Sequence, residues 1–265
     1  MSAQRSQTLF GHRWLLYELS RREIFSRYAG SAGGLAWTVL QPLAQLAIFA
    51  FVFSQVFRAT VPPAYTGVTY TGFVAVALWP WIMFSESVQR GMAAVAANAG
   101  LIRKVALPCE LFVYASVIAC YAIHLAGFAG VLVVLRLTGE NIRLEGVPVA
   151  LLLMVPYVLL ATGVSLALGS LHTIVRDVEH GTGLVLTIVF YATPILYPIT
   201  FVPEAWRGLV MANPVAHLSE RLREVLLTGP SLTGSDLLVT LACVAVFAAG
   251  LWTFRRLSPY FEDFL

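Results

Sequence analysis

The chain has 265 residues, of which 58% are hydrophobic and only 12% are charged. Ordinary soluble domains carry about 25% charged residues, so this composition excludes a soluble protein and indicates an integral membrane protein. The net charge of +3 comes from 17 arginine and lysine residues against 14 acids. The basic residues form short clusters and not the long basic stripe that follows a nucleic-acid backbone, so we expect no nucleic-acid partner.

Residues 9–28 mix apolar, aromatic and charged side chains and are followed by glycines. Such a helix either lies in the inner membrane interface with its arginines toward the lipid headgroups or packs as an ordinary amphipathic helix on the bundle. Both interpretations put it on the cytoplasmic face. The segment lacks the continuous apolar run and the cleavage site of a secretory signal. The residues that define this interfacial helix are Trp14, Tyr17, Arg21, Arg22 and Arg27.

Six later segments are apolar and long enough to cross the roughly 30 Å of bilayer hydrocarbon as helices. They predict an all-α integral membrane protein. We expect the second span to be broken by Trp79, Pro80 and Trp81, and the fifth to be short. The spans run from Leu35 to Phe57, Tyr70 to Val88, Leu111 to Leu135, Val147 to Leu171, Gly183 to Ile199, and Leu237 to Phe254.

An even number of spans puts both termini on one side of the membrane. With both termini inside, 11 of the 17 arginine and lysine residues face the cytoplasm, which the positive-inside rule favours. We expect a single domain with a cytoplasmic helix at 1–34, a six-helix membrane part at 35–254 and a cytoplasmic tail at 255–265. Six spans without an internal repeat are few for a lone carrier, so a homodimer with its path at the subunit interface is the simpler architecture.

The loop between spans two and three, residues 98–108, contains the only lysine of the chain. Asn98 is suited to cap a short helix that ends before Pro108. The apolar pair of Leu101 and Ile102 is then displayed beside Arg103 and Lys104, as in a docking segment. The alternative is a positive loop that only fixes topology.

The next cytoplasmic loop, residues 172–180, carries Arg176 and contains four residues of metal-ligand type: His172, Asp177, Glu179 and His180. Their spacing matches no metalloenzyme motif, and we expect no metal. The chain also has no Walker A motif, because Lys104 is followed by Val105, and it has no nucleophile elbow. His124, in span three, is either a proton relay or, as we favour, a buried structural residue.

Aromatic and small polar side chains occur within the spans. Trp37 and Gln41 in span one, with Tyr191 and Tyr197 near span five, can stack on or hydrogen-bond to sugars along a conduit. Anchoring at the membrane interfaces explains tryptophan and tyrosine as well.

The outer connection, residues 200–236, contains a helix signal in which Asn213 is the N-cap, Pro214 the first helical residue and Gly229 the stop. Before it, prolines that include Pro198 kink the chain. A re-entrant hairpin that gates an outer exit is one interpretation, and a surface helix is the other.

Three stretches, residues 21–46, 98–112 and 190–229, resemble the permease subunits of polysaccharide ABC exporters, a family that includes O-antigen, capsule and teichoic acid exporters. The resemblance runs nearly end to end. It implies a homodimer in the bacterial inner membrane that moves a lipid-linked polysaccharide. Each copy would bind a separate cytoplasmic ATPase, which holds ATP and Mg, so that the chain itself binds no cofactor and is not an enzyme.

By the same resemblance, residues 98–104 are a coupling helix in which Leu101 and Ile102 are the wedge and Arg103 and Lys104 its charged rim, with Arg176 and Asp177 nearby. Residues 9–28 lie near the cytoplasmic entrance in contact with membrane lipids. The segment from Pro198 to Gly229, including Asn213 and Pro214, is the outer gate.

Other functions remain open on the sequence alone. An exporter of a small molecule or of a teichoic-acid-type polymer has a similar build. A polyprenyl-linked sugar transferase would use Asp177, Glu179 or His180, and a carrier driven by ion gradients would act without any ATPase.

Overall fold

The computed structural model describes residues 12–27, 33–34, 36–104 and 107–264, and these ranges contain helices and connecting segments but no strands. The predicted all-α class is confirmed. Short 3-10 helices cover Leu144–Gly146, Ile199–Phe201 and Ser258–Asp263, and a π turn at Val52–Val56 extends α2. The α-helices are α1 (Arg13–Ser26), α2 (Ala36–Phe51), α3 (Tyr70–Ala97), α4 (Ala99–Ile102), α5 (Glu110–Leu137), α6 (Val147–Ile174), α7 (Val178–Ala192), α8 (Glu204–Met211), α9 (Pro214–Leu227) and α10 (Gly234–Leu257).

Five helices in the described part of the chain are long and apolar enough to cross a membrane, so the chain is a multi-pass membrane protein. They are Ala36–Val56, Tyr70–Ala97, Glu110–Leu137, Leu144–Ile174 and Gly234–Phe261. The predicted fifth span corresponds to α7, which has 15 residues. A helix of that length reaches about 22 Å, short of the roughly 30 Å of hydrocarbon, so the count of six spans stays a prediction.

The predicted break in the second span does not occur. α3 runs through Pro80 without interruption, and the stretch from Phe73 to Phe84 is almost wholly buried. The Trp79 indole donates a hydrogen bond to the carbonyl of His124 on α5, 3.0 Å away. Packing on every side holds α3 helical where the proline alone would favour a break.

Small residues bring the spans together. α6 and α10 cross where Gly163 meets Gly250, and a Cβ atom on Gly250 would lie 2.0 Å from the Gly163 carbonyl oxygen. Gly127 of α5 lies beneath Trp79 in the same way, because a Cβ there would lie 2.6 Å from the ring. Such contacts replace the hydrophobic effect, which is absent between helices in lipid.

α1 packs against the N-terminal end of α5. Leu19 is buried in a cluster with Leu111, Phe112 and Phe254, whereas Trp14 on the opposite face is 72% exposed. The first 11 residues of the predicted cytoplasmic helix, and residues 28–32 and 35, lie outside the described ranges. The packing against α5 agrees with a helix on the bundle, and its place in a lipid interface remains a prediction.

Candidate functional site

The predicted coupling segment, residues 98–104, contains the short helix α4 directly after α3. Asn98 occupies the N-cap position, but its side chain makes no capping bond. Instead its Nδ2 donates to the Ala94 carbonyl, 2.8 Å away, and its Oδ1 accepts a hydrogen bond from Arg22 of α1. Leu101 and Ile102 are half-buried against the α1 and α5 cluster. The groups displayed outward are therefore the side chains of the next two residues, Arg103 and Lys104.

The loop at residues 172–180, which the sequence predicts to be cytoplasmic, comes next to this segment. A cavity of about 230 Å³, which we call the cytoplasmic cavity after the predicted orientation, is formed by the end of α3, α4, the end of α6, the start of α7 and Phe264. Of the predicted coupling residues, Arg176 lines it, while Asp177 is exposed at the start of α7. The lining residues are Ala96, Ala99, His172, Thr173, Arg176, Glu179 and Phe264.

The predicted residues of α1 serve different contacts. Trp14 and Tyr17 are exposed, and Arg21 lies 5.7 Å from the Phe25 ring. Arg22 binds Asn98, as described above. Arg27 at the end of the helix points inward, with a side chain that is 1% exposed and an Nη1 atom 3.2 Å from Glu86 of α3.

A second cavity of about 480 Å³, the membrane cavity, lies between α2 and α3. It brings Trp37 and Gln41 together, as the sequence predicts for a conduit, but Tyr191 and Tyr197 do not line it. Those two contact each other at the far end of α7, where the Tyr197 hydroxyl donates to the Tyr191 carbonyl at 2.9 Å. The membrane cavity is lined by Trp37, Thr38, Gln41, Pro42, Gln45, Trp81, Ile82, Ser85, Glu86, Gln89 and Arg90.

The polar lining follows helical spacing on both walls. Gln41 and Gln45 are one turn apart on α2, and Ser85 and Gln89 are one turn apart on α3. Neither glutamine of α2 makes a side-chain hydrogen bond to any residue that the structure describes. Sequence reasoning missed Gln45, Ser85 and Gln89, although their i, i+4 spacing within apolar spans was a usable signal.

Sequence reasoning also missed the role of Glu86, which lies in the wall of the membrane cavity. Its carboxylate contacts Arg27, Arg90 at 2.6 Å and the Nε2 atom of His124 at 2.7 Å. His124 is 1% exposed, which agrees with the buried histidine that we favoured. An acid inside an apolar span is the signal that could have identified it.

One group of metal-ligand type occurs among the described residues. Ligand atoms of Glu86, Cys120 and His124 lie within 4.8 Å of one another. Arg27 and Arg90 already neutralise the carboxylate there, and their positive charges oppose a cation. The arrangement fits an ion-pair network better than a metal centre.

The outer segment after α7 is held by buried hydrogen bonds. The Asn213 side chain caps α9 by accepting from the Val215 amide at 3.0 Å, and it donates to Thr193 at 3.3 Å. Pro214 is the first residue of α9, as predicted, and Pro198 precedes a single 3-10 turn. Residues 193–196 are buried, which requires partners for their carbonyl groups.

Arg223 of α9 supplies two of those four partners. Its side chain is 0% exposed and donates to the carbonyls of Pro194 at 3.0 Å and Ile195 at 2.9 Å, and to that of Phe73 on α3 at 3.2 Å. The guanidinium lies 3.9 Å from the centre of the Phe73 ring and is paired with Glu220. The sequence places this arginine off the leucine face of α9, and nothing in the amphipathic pattern indicates that it is buried.

Arg221, on the same helix, joins α9 to α10. It donates through Nε to Asp236 at 2.8 Å and is paired with Glu224. Burial alone would lower the pKa of Arg221, but the hydrogen bonds that it donates to Asp236 and Glu224 outweigh burial and raise that pKa above its ordinary value. The outer segment is therefore a packed part of the protein and not a loose loop.

Comparison with known proteins identifies the family. The sequence pattern of ABC-2 type transporters matches residues 15–227. The chain is 30% identical over 242 residues to an O-antigen export system permease protein of Myxococcus xanthus, covering 90% of this chain and 89% of that protein. It is 27% identical over 251 residues to a Klebsiella pneumoniae protein of the same description, covering 95% of each chain. It is 23% identical over 209 residues to a polysialic acid transport protein of Escherichia coli, covering 78% and 79%. The chain belongs to the ABC-2 type transporter family.

Proposed function

We propose that this chain is the membrane subunit of an ATP-driven exporter of a lipid-linked polysaccharide, an O-antigen or a capsular polymer. Two copies would form a homodimer in the bacterial inner membrane, with all termini in the cytoplasm. The relatives described as O-antigen export permeases and as a polysialic acid transport protein support a polysaccharide cargo. The chain is a transport permease and not an enzyme, and ABC-2 permeases work with a separate cytoplasmic ATPase.

The membrane cavity carries the proposal. Gln41 is exposed and Gln45 is half-buried on a span whose most apolar stretch is only 22% buried. An amide that faces hydrocarbon without a partner costs several kcal/mol, so this wall of α2 faces water, cargo or a second copy of the chain. Amides and indoles together bind sugars, because amides hydrogen-bond to hydroxyl groups and indoles stack on sugar faces.

The exposed side of α2 also supports the homodimer. Trp37 is 53% exposed, and the neighbouring apolar residues Leu40 and Ile48 are 51% and 61% exposed. Within one chain, α2 and α3 form only one side of the proposed conduit, and the other side is open. A second copy facing the first would complete a polar conduit with the same residues from both chains.

The cytoplasmic surface supplies the ATPase contact. Arg103 and Lys104 extend from α4 next to the cytoplasmic cavity, in which Arg176 lies. Exposed cations beside a half-buried apolar pair orient a partner by charge. Closure of the two ATPases on ATP would displace this surface, and the helices that leave it would change the width of the conduit.

The test is export by the purified complex. We would reconstitute the chain and its ATPase in proteoliposomes, supply lipid-linked O-polysaccharide outside, and measure its ATP-dependent appearance inside. A Gln41→Leu, Gln45→Leu double variant should export about thirtyfold less, because each of the two lost amides removes roughly 1 kcal/mol of hydrogen bonding, about 2 kcal/mol together. Gln55→Leu is the matched control, since Gln55 is exposed on the π turn of α2 away from the membrane cavity.

Other results would replace the proposal. Sugar transfer by the chain without any ATPase would indicate a polyprenyl-linked transferase. Uptake that follows an ion gradient would indicate a carrier. ATP-dependent transport of small molecules only would exclude a polysaccharide as the cargo.

A further inference from the structure

The charged cluster around Glu86 connects three helices. Its carboxylate on α3 contacts Arg27 of α1 at 3.2 Å, His124 of α5 at 2.7 Å and Arg90 of α3 itself at 2.6 Å. The side chains of Arg27 and His124 are each 1% exposed, while that of Glu86 is 28% exposed. The Glu86 carboxylate is thus covered by its three partners and is accessible from one direction only.

The open side of the Glu86 cluster belongs to the membrane cavity, whose wall includes Glu86 and Arg90. A charged network at this depth is costly and can be replaced by apolar packing when stability alone is required. Its position beside a polar cavity points to a role other than holding the bundle together.

α1 has a second polar attachment at the other end of the same region. Arg22 donates a hydrogen bond to Asn98, the residue that joins α3 to the coupling segment. Arg27 lies five residues further along α1, about 7.5 Å along the helix axis. α1 is therefore fixed by Arg22 to the start of the coupling segment and by Arg27 to the wall of the membrane cavity.

We propose that Glu86 is a positioning residue that links the coupling segment to the membrane cavity through α1. A displacement of the coupling segment moves Arg22 with Asn98, α1 carries the movement to Arg27, and the shift of the Glu86 carboxylate re-orients Arg90 in the cavity wall. The inference rests on the proposed function and deepens it, because it names the residues that connect ATP use with cargo movement. By reciprocity, cargo in the cavity changes the contacts of the coupling segment.

The test compares ATP use with export in the complete reconstituted complex. Glu86→Gln keeps the size of the side chain and removes the charge. We expect the affinity for the ATPase to stay within about twofold of wild type, while export per ATP hydrolysed, and the stimulation of hydrolysis by polymer, fall about tenfold. Glu110→Gln is the matched control, because Glu110 on α5 also pairs with an arginine, Arg255 at 3.3 Å, without reaching the cavity; it should leave the ratio unchanged.

A double-mutant cycle separates linkage from plain destabilisation. If α1 transmits the movement, Asn98→Ala and Glu86→Gln interrupt the same path, so the double variant should lose little more than either single variant. Independent structural damage would instead give additive losses. Arg27→Lys and Arg27→Gln provide a second pair that leaves Glu86 in place: the lysine should preserve the export ratio and the glutamine should lose it.

An unchanged export ratio in Glu86→Gln, or additive losses in the cycle, would overturn the inference while leaving the proposed function intact. A wild-type complex without ATP-dependent export would overturn the proposed function and the inference with it.

Discussion

Replacing Arg223 by methionine should destabilise the outer segment strongly. The change removes a side chain that is 0% exposed and leaves the carbonyls of Pro194 and Ile195 without their donor. The Phe73 carbonyl loses a hydrogen bond too but keeps the helical one expected within α3. It also leaves Glu220, whose side chain is 15% exposed, without its cation. Breaking a buried ion pair by removing one partner costs about 3–5 kcal/mol, and each orphaned carbonyl contributes to that sum. For a protein of this size the melting temperature should fall by about 6–15 °C.

The assay is thermal unfolding of the purified protein in mild detergent, followed by tryptophan fluorescence and by gel filtration of heated samples. Arg143→Met is the matched control, because Arg143 is 46% exposed and lies 3.9 Å from Glu145 on the surface. It should shift the midpoint by less than about 2 °C, since exposed pairs contribute little. Arg223→Lys should fall between the two, because lysine keeps the charge but lacks the planar fork. Equal midpoints for the Arg223 and Arg143 methionine variants would refute the reasoning that the buried hydrogen bonds hold the segment.

Three further outcomes follow from the described contacts. An Arg103→Glu, Lys104→Glu double variant should bind the ATPase about tenfold or more weakly than wild type at low salt, as measured by co-purification. At about 1 M salt the two proteins should bind almost equally, because salt screens the charges. A weakening that does not depend on salt would contradict a role for charge. Gly250→Ala should lower the melting temperature, because its Cβ would lie 2.0 Å from a backbone oxygen. Gly130→Ala is the control and should leave the melting temperature unchanged, because no atom lies within 4 Å of its added Cβ. Equal effects of the two changes would rule out the close crossing of α6 and α10. Burial and the neighbouring Glu220 carboxylate raise the pKa of the Tyr65 hydroxyl, so this tyrosine should stay protonated at the pH where an ordinary tyrosine, with a pKa of about 10, ionises. At that pH Tyr65→Phe should show the same phenolate absorbance as wild type, and a lower absorbance in the variant would contradict the raised pKa.

Much of the fold could be predicted because membrane spans are encoded by long apolar runs. The class, five of the spans and the short helix α4 in the loop at residues 98–108 follow from hydropathy and from the helix signals of that loop. The continuity of α3 through Pro80 could not be predicted, since it depends on packing by distant segments. The fifth span was expected to be short, and α7 has 15 residues. Its end at Ala192 could not be predicted, because the apolar run continues past that residue into a buried segment that is not helical.

The candidate site was predicted only in part, because several of its residues are defined by contacts between side chains of different helices. Trp37 and Gln41 were found because they are polar or aromatic residues within an apolar run. The cluster of Glu86, Arg27 and His124 depends on which side chains meet across three helices, which no local pattern shows. Arg223 was missed for a related reason: an arginine on an amphipathic helix is usually in water, and only the fold reveals the carbonyls that it serves.

α3 is one unbroken helix of 28 residues, about 42 Å long. It connects the outer segment, the membrane cavity and the predicted coupling segment. Phe73 near its outer end lies under Arg223, Glu86 forms part of the membrane cavity, and its last residue precedes Asn98 and the coupling segment. A tilt of such a continuous helix about its buried middle would move both of its ends. In the proposed exporter, the end of α3 beside Arg223 and its end beside the predicted coupling segment should therefore change position at the same time.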